Sequence, residues 1–288
     1  MFKKPVLFVS LLLAASLMLC PALATTTFTD AHGNQIELDT SLESYAPFAL
    51  YGADNAARKN ETNLGDLWTD ALYWFAASGR IDEFFEEDDV LNGSASVDVP
   101  QDHIVALWNG GNLRADIPAG RFNAETLAQV LPYPNKVAVV YMTGAQLTEA
   151  LEAASQGLPF SADTEAACAS FMQVSGVCYT VDLTKGYDAG EPYGDHWFKA
   201  ASLGRVTVTL EDGTPVEPDE LFAVITSNAN FNGMDSSYIF KQAAEENERS
   251  TITTAVVRDV IWMYLNEALS GRVPETYAEP AGRIVLAE

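Results

Sequence analysis

An apolar run at residues 104–108 stops at Asn109-Gly110-Gly111-Asn112-Leu113-Arg114, and two further apolar runs, at 137–142 and 221–226, lie far downstream. Runs of this length, rich in Val and Ile and bounded by turn residues, read as strands. The segments between them carry helical patterns. From Asn63 the apolar positions Leu64, Leu67, Trp68, Ala71, Leu72 and Phe75 repeat at helical spacing, and Gly79 stands where a cap belongs. A short helix opens at Asn123-Ala124-Glu125 and is stopped by Pro132, and Thr143 with Gln146 has capping-box spacing for a helix running to about Ser155. Strands and helices are thus mixed without a regular βαβ alternation, which points to an α+β fold with a mixed sheet.

The remaining segments fill in this outline. Residues 27–38 and the stretch around Asp212-Gly213 read as hairpins, 172–182 as one long strand, and 284–286 as a last strand. A long helix is expected over 251–269, with Val257, Ile261, Leu265 and Leu269 on one face. Residues 40–60 are expected to be irregular, and 82–89 to form an acidic loop.

Residues 1–24 combine Lys3 and Lys4, an apolar stretch and Ala22-Leu23-Ala24, the pattern of a cleavable secretory signal with cleavage near Ala24. The expected location is therefore secreted or periplasmic. The formal net charge is −24, and both of those lysines fall in the leader, so nucleic acid and anionic membranes are unsuitable partners. A small anion is not excluded. Screening acts over about 8 Å, while a domain of this size has a radius of gyration near ~18 Å, so local arginines can outweigh distant acidic residues. Beyond the leader only Cys168 and Cys178 occur, and in an oxidising compartment they form either a disulfide or two buried thiols.

Known chemical signatures are scarce. The histidines His32, His103 and His196 form no H-x-H or H-E-x-x-H pattern. Asp30-Ala31-His32-Gly33 has the look of a metallophosphatase ligand motif without its companions, and reads as a hairpin turn. Ser175-Gly176 lacks a nucleophile elbow, and no phosphate-binding glycine loop is present. Recognition is what the residues favour. Two adjacent glycines at a strand end let a ligand approach the backbone, and an arginine three residues on can grip an anion or hydroxyls. Arg58, Asn63, Asn109, Arg114, Tyr133 and Asp235 all stand at ends of expected elements. Each also has a structural alternative: Asn63 as a helix cap, Asp235 as a turn residue, Tyr133 as core.

Together, the segments Glu61-Thr62-Asn63-Leu64-Gly65-Asp66-Leu67, Asn109–Arg114, Leu131-Pro132-Tyr133-Pro134-Asn135, Met142-Thr143-Gly144, Phe171–Gly176 and Asn228 through Gly233-Met234-Asp235 resemble, in order, the C-terminal domain of 5'-nucleotidases and UDP-sugar hydrolases. The resemblance implies a layered α/β/β/α-type single domain over 58–288, preceded by a hairpin and irregular lead-in at 25–57. It implies contacts to ribose or phosphate by Arg58 and Arg114, to the base edge by Asn109, and to ribose hydroxyls by Asp235. Tyr133 would be one aromatic wall, and Gly110, Gly111, Gly176, Asn228 and Phe231 would complete the binding set.

The family's second aromatic wall falls on Ala229, and Met234 and Asn112 replace glycines of the motifs. The catalytic dinuclear metal domain has no counterpart here, so no cofactor is expected in this chain. Divalent metals would come from a partner metallophosphatase subunit, and the partner ligand would be a nucleoside, nucleotide or nucleotide sugar. The rival readings are a stand-alone nucleotide hydrolase with an unforeseen site, and a structural or interaction domain that has lost the pocket.

Overall fold

The computed structural model describes residues 25–29, 35–39, 43–86 and 96–288. The signal at 1–24, the Asp30-Ala31-His32-Gly33 turn and the end of the acidic loop lie outside the described residues. In chain order the strands β1 (Thr25–Thr29), β2 (Gln35–Asp39) and β3 (Ser44–Ala46) precede helix α1 (Asn63–Ala77). Next come β4 (Ile104–Asn109), β5 (Gly120–Phe122), α2 (Ala124–Val130), β6 (Lys136–Thr143) and α3 (Gly144–Ala154). The middle is all strand: β7 (Met172–Ser175), β8 (Val177–Asp182), β9 (Ala189–Tyr193), β10 (Trp197–Ala200), β11 (Val206–Leu210) and β12 (Leu221–Ser227). The single turn α4 (Asn228–Phe231), then α5 (Tyr238–Glu246), β13 (Thr251–Val256), α6 (Val257–Met263) and β14 (Ile284–Ala287) complete it.

The central sheet has five strands in the order β13-β6-β12-β4-β7. Its β12–β4 pair is parallel and the others antiparallel, so the α+β class with a mixed sheet holds. Both faces are covered, which explains why the three apolar runs show no polar alternation. Ile104, Ala106, Trp108, Val139, Tyr141 and Ile225 join one core with α1 and α6. Val105, Leu107, Val140, Met142, Phe222 and Val224 join a second with α3, α5 and a three-stranded sheet ordered β11-β8-β14. Thr143 with Gln146 forms the expected capping box, whereas α1 is capped by Thr62, whose Oγ1 accepts from Gly65 N at 3.1 Å, and not by Asn63, which is its first helical residue.

Several expectations are corrected. The long helix over 251–269 is instead strand β13 followed by α6 and a π-turn at Tyr264–Ala268. Its first six residues are mostly Thr, Ile and Val, and they gain ladder bonds on the open edge of β6, with Thr253 Oγ1 also donating to the Val137 carbonyl. The strand expected over 172–182 breaks at Gly176, whose φ is +85°. A Cβ there would lie 2.3 Å from the Ile104 carbonyl oxygen, so only glycine lets the chain leave the central sheet as β7 and enter the second as β8. The stretch 40–60 contains β3, paired with β5. The β9–β10 hairpin had no sequence signal strong enough to be read. Cys168 and Cys178 are free thiols, not a disulfide, and burial pushes the pKa of each upward.

Candidate functional site

Sheet topology gathers the site at one edge. Because β4 and β12 run parallel, both end there, and the segments that follow them, 110–114 and 228–235, come together. The antiparallel neighbours begin at the same edge: Val137 of β6 is opposite Ser227, and Met172 of β7 is opposite Asn109. The turns leading into those strands, 131–135 and Ala167–Ser170, therefore close the other sides. Four segments distant in sequence surround one cavity of about 600 Å³, lined from these turns by Asn109, Gly111, Arg114, Tyr133, Ala169 and Asp235 among others.

Inside, an amide chain orders the polar groups. Asn112 Nδ2 donates to Asn109 Oδ1 at 2.9 Å, and Asn109 Nδ2 reaches Asp235 Oδ2 at 3.4 Å. Asp235 is half-buried on a left-handed backbone, φ +56°. Burial raises its pKa, opposed by Arg58 and Arg114. Arg114 is exposed and holds its guanidinium 5.7 Å from the Tyr133 ring centroid. Arg58 does not line the wall, yet it stands near enough to couple electrostatically to the site. Burial lowers its pKa first and Arg114 second, while Glu165 and Asp235 act against them. Two arginines, Arg58 and Arg114, thus stand with two carboxylates, Asp235 and Glu165, at this corner of an acidic protein. Among the described residues, no group of three or more His, Cys, Asp or Glu is arranged to hold a metal ion.

Of the residues singled out in the sequence, Asn109, Gly111, Arg114, Tyr133, Asn228 and Asp235 all line this cavity. The others do not. Asn63 is fully buried, its Oδ1 accepting from Tyr51 N and its Nδ2 donating to the carbonyls of Ala49 and Tyr277. Gly110 spends its N–H on the Phe171 carbonyl, and a Cβ there would be 1.7 Å from the Ala57 oxygen. Its role is to let the Ala56–Arg58 turn pack against the strand end, which brings Arg58 to the site. Gly176 lies at a sheet crossover, beside Tyr73 and Gln101. Phe231 packs against the second core, so its ring does not replace the missing wall.

Asn135, Asn232 and Ala169 also line the cavity without having been expected there, as do Asn112 and Met234, which in the sequence stand out only as departures from a motif. Ala169 carried no signal, since nothing local marks the turn before β7. Gln173 was noted only within a motif; it is buried, accepts from Thr62 N and donates to the carbonyls of Ala57 and Asn60, fixing the segment that carries Arg58.

The fold and cleft define an α+β domain with an open cavity at the ends of two parallel strands. A model of the 5'-nucleotidase C-terminal domain matches residues 42–244, and the chain belongs to that family. It is 31% identical over 196 residues to the cell wall protein Lmo0130 of Listeria monocytogenes, covering 66% of this chain and 20% of that protein. It is 24% identical over 254 residues to the trifunctional nucleotide phosphoesterase protein YfkN of Bacillus subtilis, covering 86% and 15%. The solved 5'-nucleotidase precursor of Thermus thermophilus superposes with a TM-score of 0.59 at 25% identity, covering 85% of this chain and 39% of that one. The chain therefore spans a fifth or less of these curated relatives.

Proposed function

We propose that the cavity at the β4 and β12 ends binds a nucleoside, nucleotide or nucleotide sugar, as part of nucleotide breakdown outside the cytoplasm. The observation that carries this is the convergence of Asn109, Arg114, Tyr133 and Asp235 on one cavity, with Arg58 behind them. An ionised Asp235 accepts two hydroxyl hydrogens, as a ribose diol offers. Arg58 and Arg114 supply the positive charge that a phosphate needs. Asn109 keeps one N–H and one lone pair beyond its contacts to Asn112 and Asp235, enough for a base edge. Tyr133 offers a ring for stacking.

Hydrolysis is assigned to a metallophosphatase partner that supplies divalent metals, with this chain holding the substrate. Export is assigned from the leader at 1–24, in keeping with the cell wall protein among the relatives. Calorimetry with adenosine, AMP and UDP-glucose tests the binding; no heat from any of them at millimolar concentration defeats it. Phosphate release from AMP with added Mn²⁺ tests the division of labour, and the expected trace is flat.

A further inference from the structure

Met234 is 58% exposed, yet it sits on a tightly held backbone. Its neighbours Gly233 and Asp235 both have left-handed φ, +80° and +56°. Met234 N donates to the Ala229 carbonyl and its own carbonyl accepts from Ser237 N, each at 3.0 Å. The Tyr193 hydroxyl on β9 donates to the Gly233 carbonyl at 2.6 Å. A large apolar side chain is thus displayed at the cavity by a pinned turn. Exposed thioether of this kind gains when a ligand covers it.

The surroundings say what kind of ligand group would do so. Tyr133, from the turn before β6, faces the same cavity, Ala229 contributes no ring, and Phe231 is committed to the core. Besides Arg114 and Asp235, the polar side chains of the remaining wall are asparagines, Asn109, Asn112, Asn135, Asn228 and Asn232. An amide donates and accepts alike, so such a wall imposes little choice between ring edges.

Resting on the nucleotide-binding reading above, we infer that Met234 and Tyr133 together hold the nucleobase, and that this flexible wall accepts purines and pyrimidines alike. Methionine has three rotatable bonds and a polarisable sulfur, which suits it to flat rings of different size.

The test compares AMP, UMP and D-ribose 5-phosphate, which lacks a base, by calorimetry on the full chain and on Met234→Ala and Met234→Leu. Sulfur–aromatic contacts of roughly 0.3–1.5 kcal/mol correspond to a loss of about 2- to 12-fold. The expected result is that loss for AMP and UMP in Met234→Ala, partial recovery in Met234→Leu, and unchanged ribose 5-phosphate binding. Unchanged nucleotide affinity, loss for only one base, or a parallel loss for ribose 5-phosphate would each overturn the inference. If the unaltered chain binds ribose 5-phosphate as tightly as AMP, the base wall is refuted while the sugar and phosphate site stands. If it binds none of the three, the nucleotide reading itself has failed.

Discussion

Two regions of this molecule bring arginine and carboxylates together, and they do so in opposite ways. At the carboxyl end of the chain, Arg283 lies 2.7 Å from Asp70, which also accepts from Ser175 and Tyr277 hydroxyls at 2.7 Å each. Glu61 accepts from the Arg283 and Ile284 amides, and Asp66 from the Ala281 amide. These bonds tie the last strand to α1. At the cavity, by contrast, Asp235 has a single long bond from Asn109, and among the described residues no protein hydrogen bond engages the Arg58 or Arg114 guanidinium. Charged groups that the protein bonds on several sides, as it does Asp70 and Glu61, hold the chain together. Those with capacity left over can bind something else.

The contrast makes its largest prediction about stability. Arg283→Met leaves the partly buried Asp70 without its cation, next to the buried Asp66, and should cost roughly 1.5–3 kcal/mol, read as a fall in the denaturant midpoint. Next comes the pH dependence of the same network. Burial, then the neighbouring Glu61, push Asp66 up to about 8, above the usual carboxylate value near ~3.9 in an unfolded chain. The folded state therefore keeps a proton that the unfolded state releases. Stability is greatest at acid pH on this account, falls as pH rises toward about 8, and levels off beyond it. Asp66→Asn should flatten that slope; an unchanged slope would mean that Asp66 is ionised in the fold.

How much of this was legible follows the same division. The central strands and α1 could be read because their signals are local: apolar runs, helical spacing from Leu64 to Phe75 and a capping box at Thr143. The strand β13 could not, because Thr251 to Val256 prefers a sheet only where β6 offers an edge. The cavity wall was legible at Asn109, Gly111, Arg114, Tyr133 and Asp235, and misread at Asn63, Gly110 and Gly176. Gly110 and Gly176 look like ligand-facing positions along the sequence, but each yields to another stretch of backbone, at Ala57 and Ile104. The carboxyl-terminal network was invisible, since Asp70 and Arg283 are distant in sequence and neither belongs to a local pattern.

At the cavity the expected order is reversed, with large effects on binding and small ones on stability. Asp235→Ala and Arg114→Ala should each weaken AMP binding about 10-fold or more, in line with roughly 1.5–3 kcal/mol for a hydrogen bond to a charged group. Asp235 also predicts a pH effect on uridine binding. Hydroxyl donors need the ionised carboxylate, and burial raises its pKa, so affinity should fall on acidification while pH is still above the ordinary carboxylate range. Asp235→Asn should abolish that dependence.

The smallest effect is the most discriminating. Arg114 is exposed and gives up no hydrogen bond among the described residues, so Arg114→Ala should change the unfolding free energy by about 0.5 kcal/mol or less. Asp235→Ala removes a carboxylate that burial disfavours and that, among the described residues, only Asn109 bonds, so it should be neutral or slightly stabilising. A site built for packing would behave differently, since its charges would then be needed to satisfy one another. Clear destabilisation by Asp235→Ala would place Asp235 with Asp70 as a fastening of the fold, and the cavity would lose the residue on which its reading as a sugar-binding site depends.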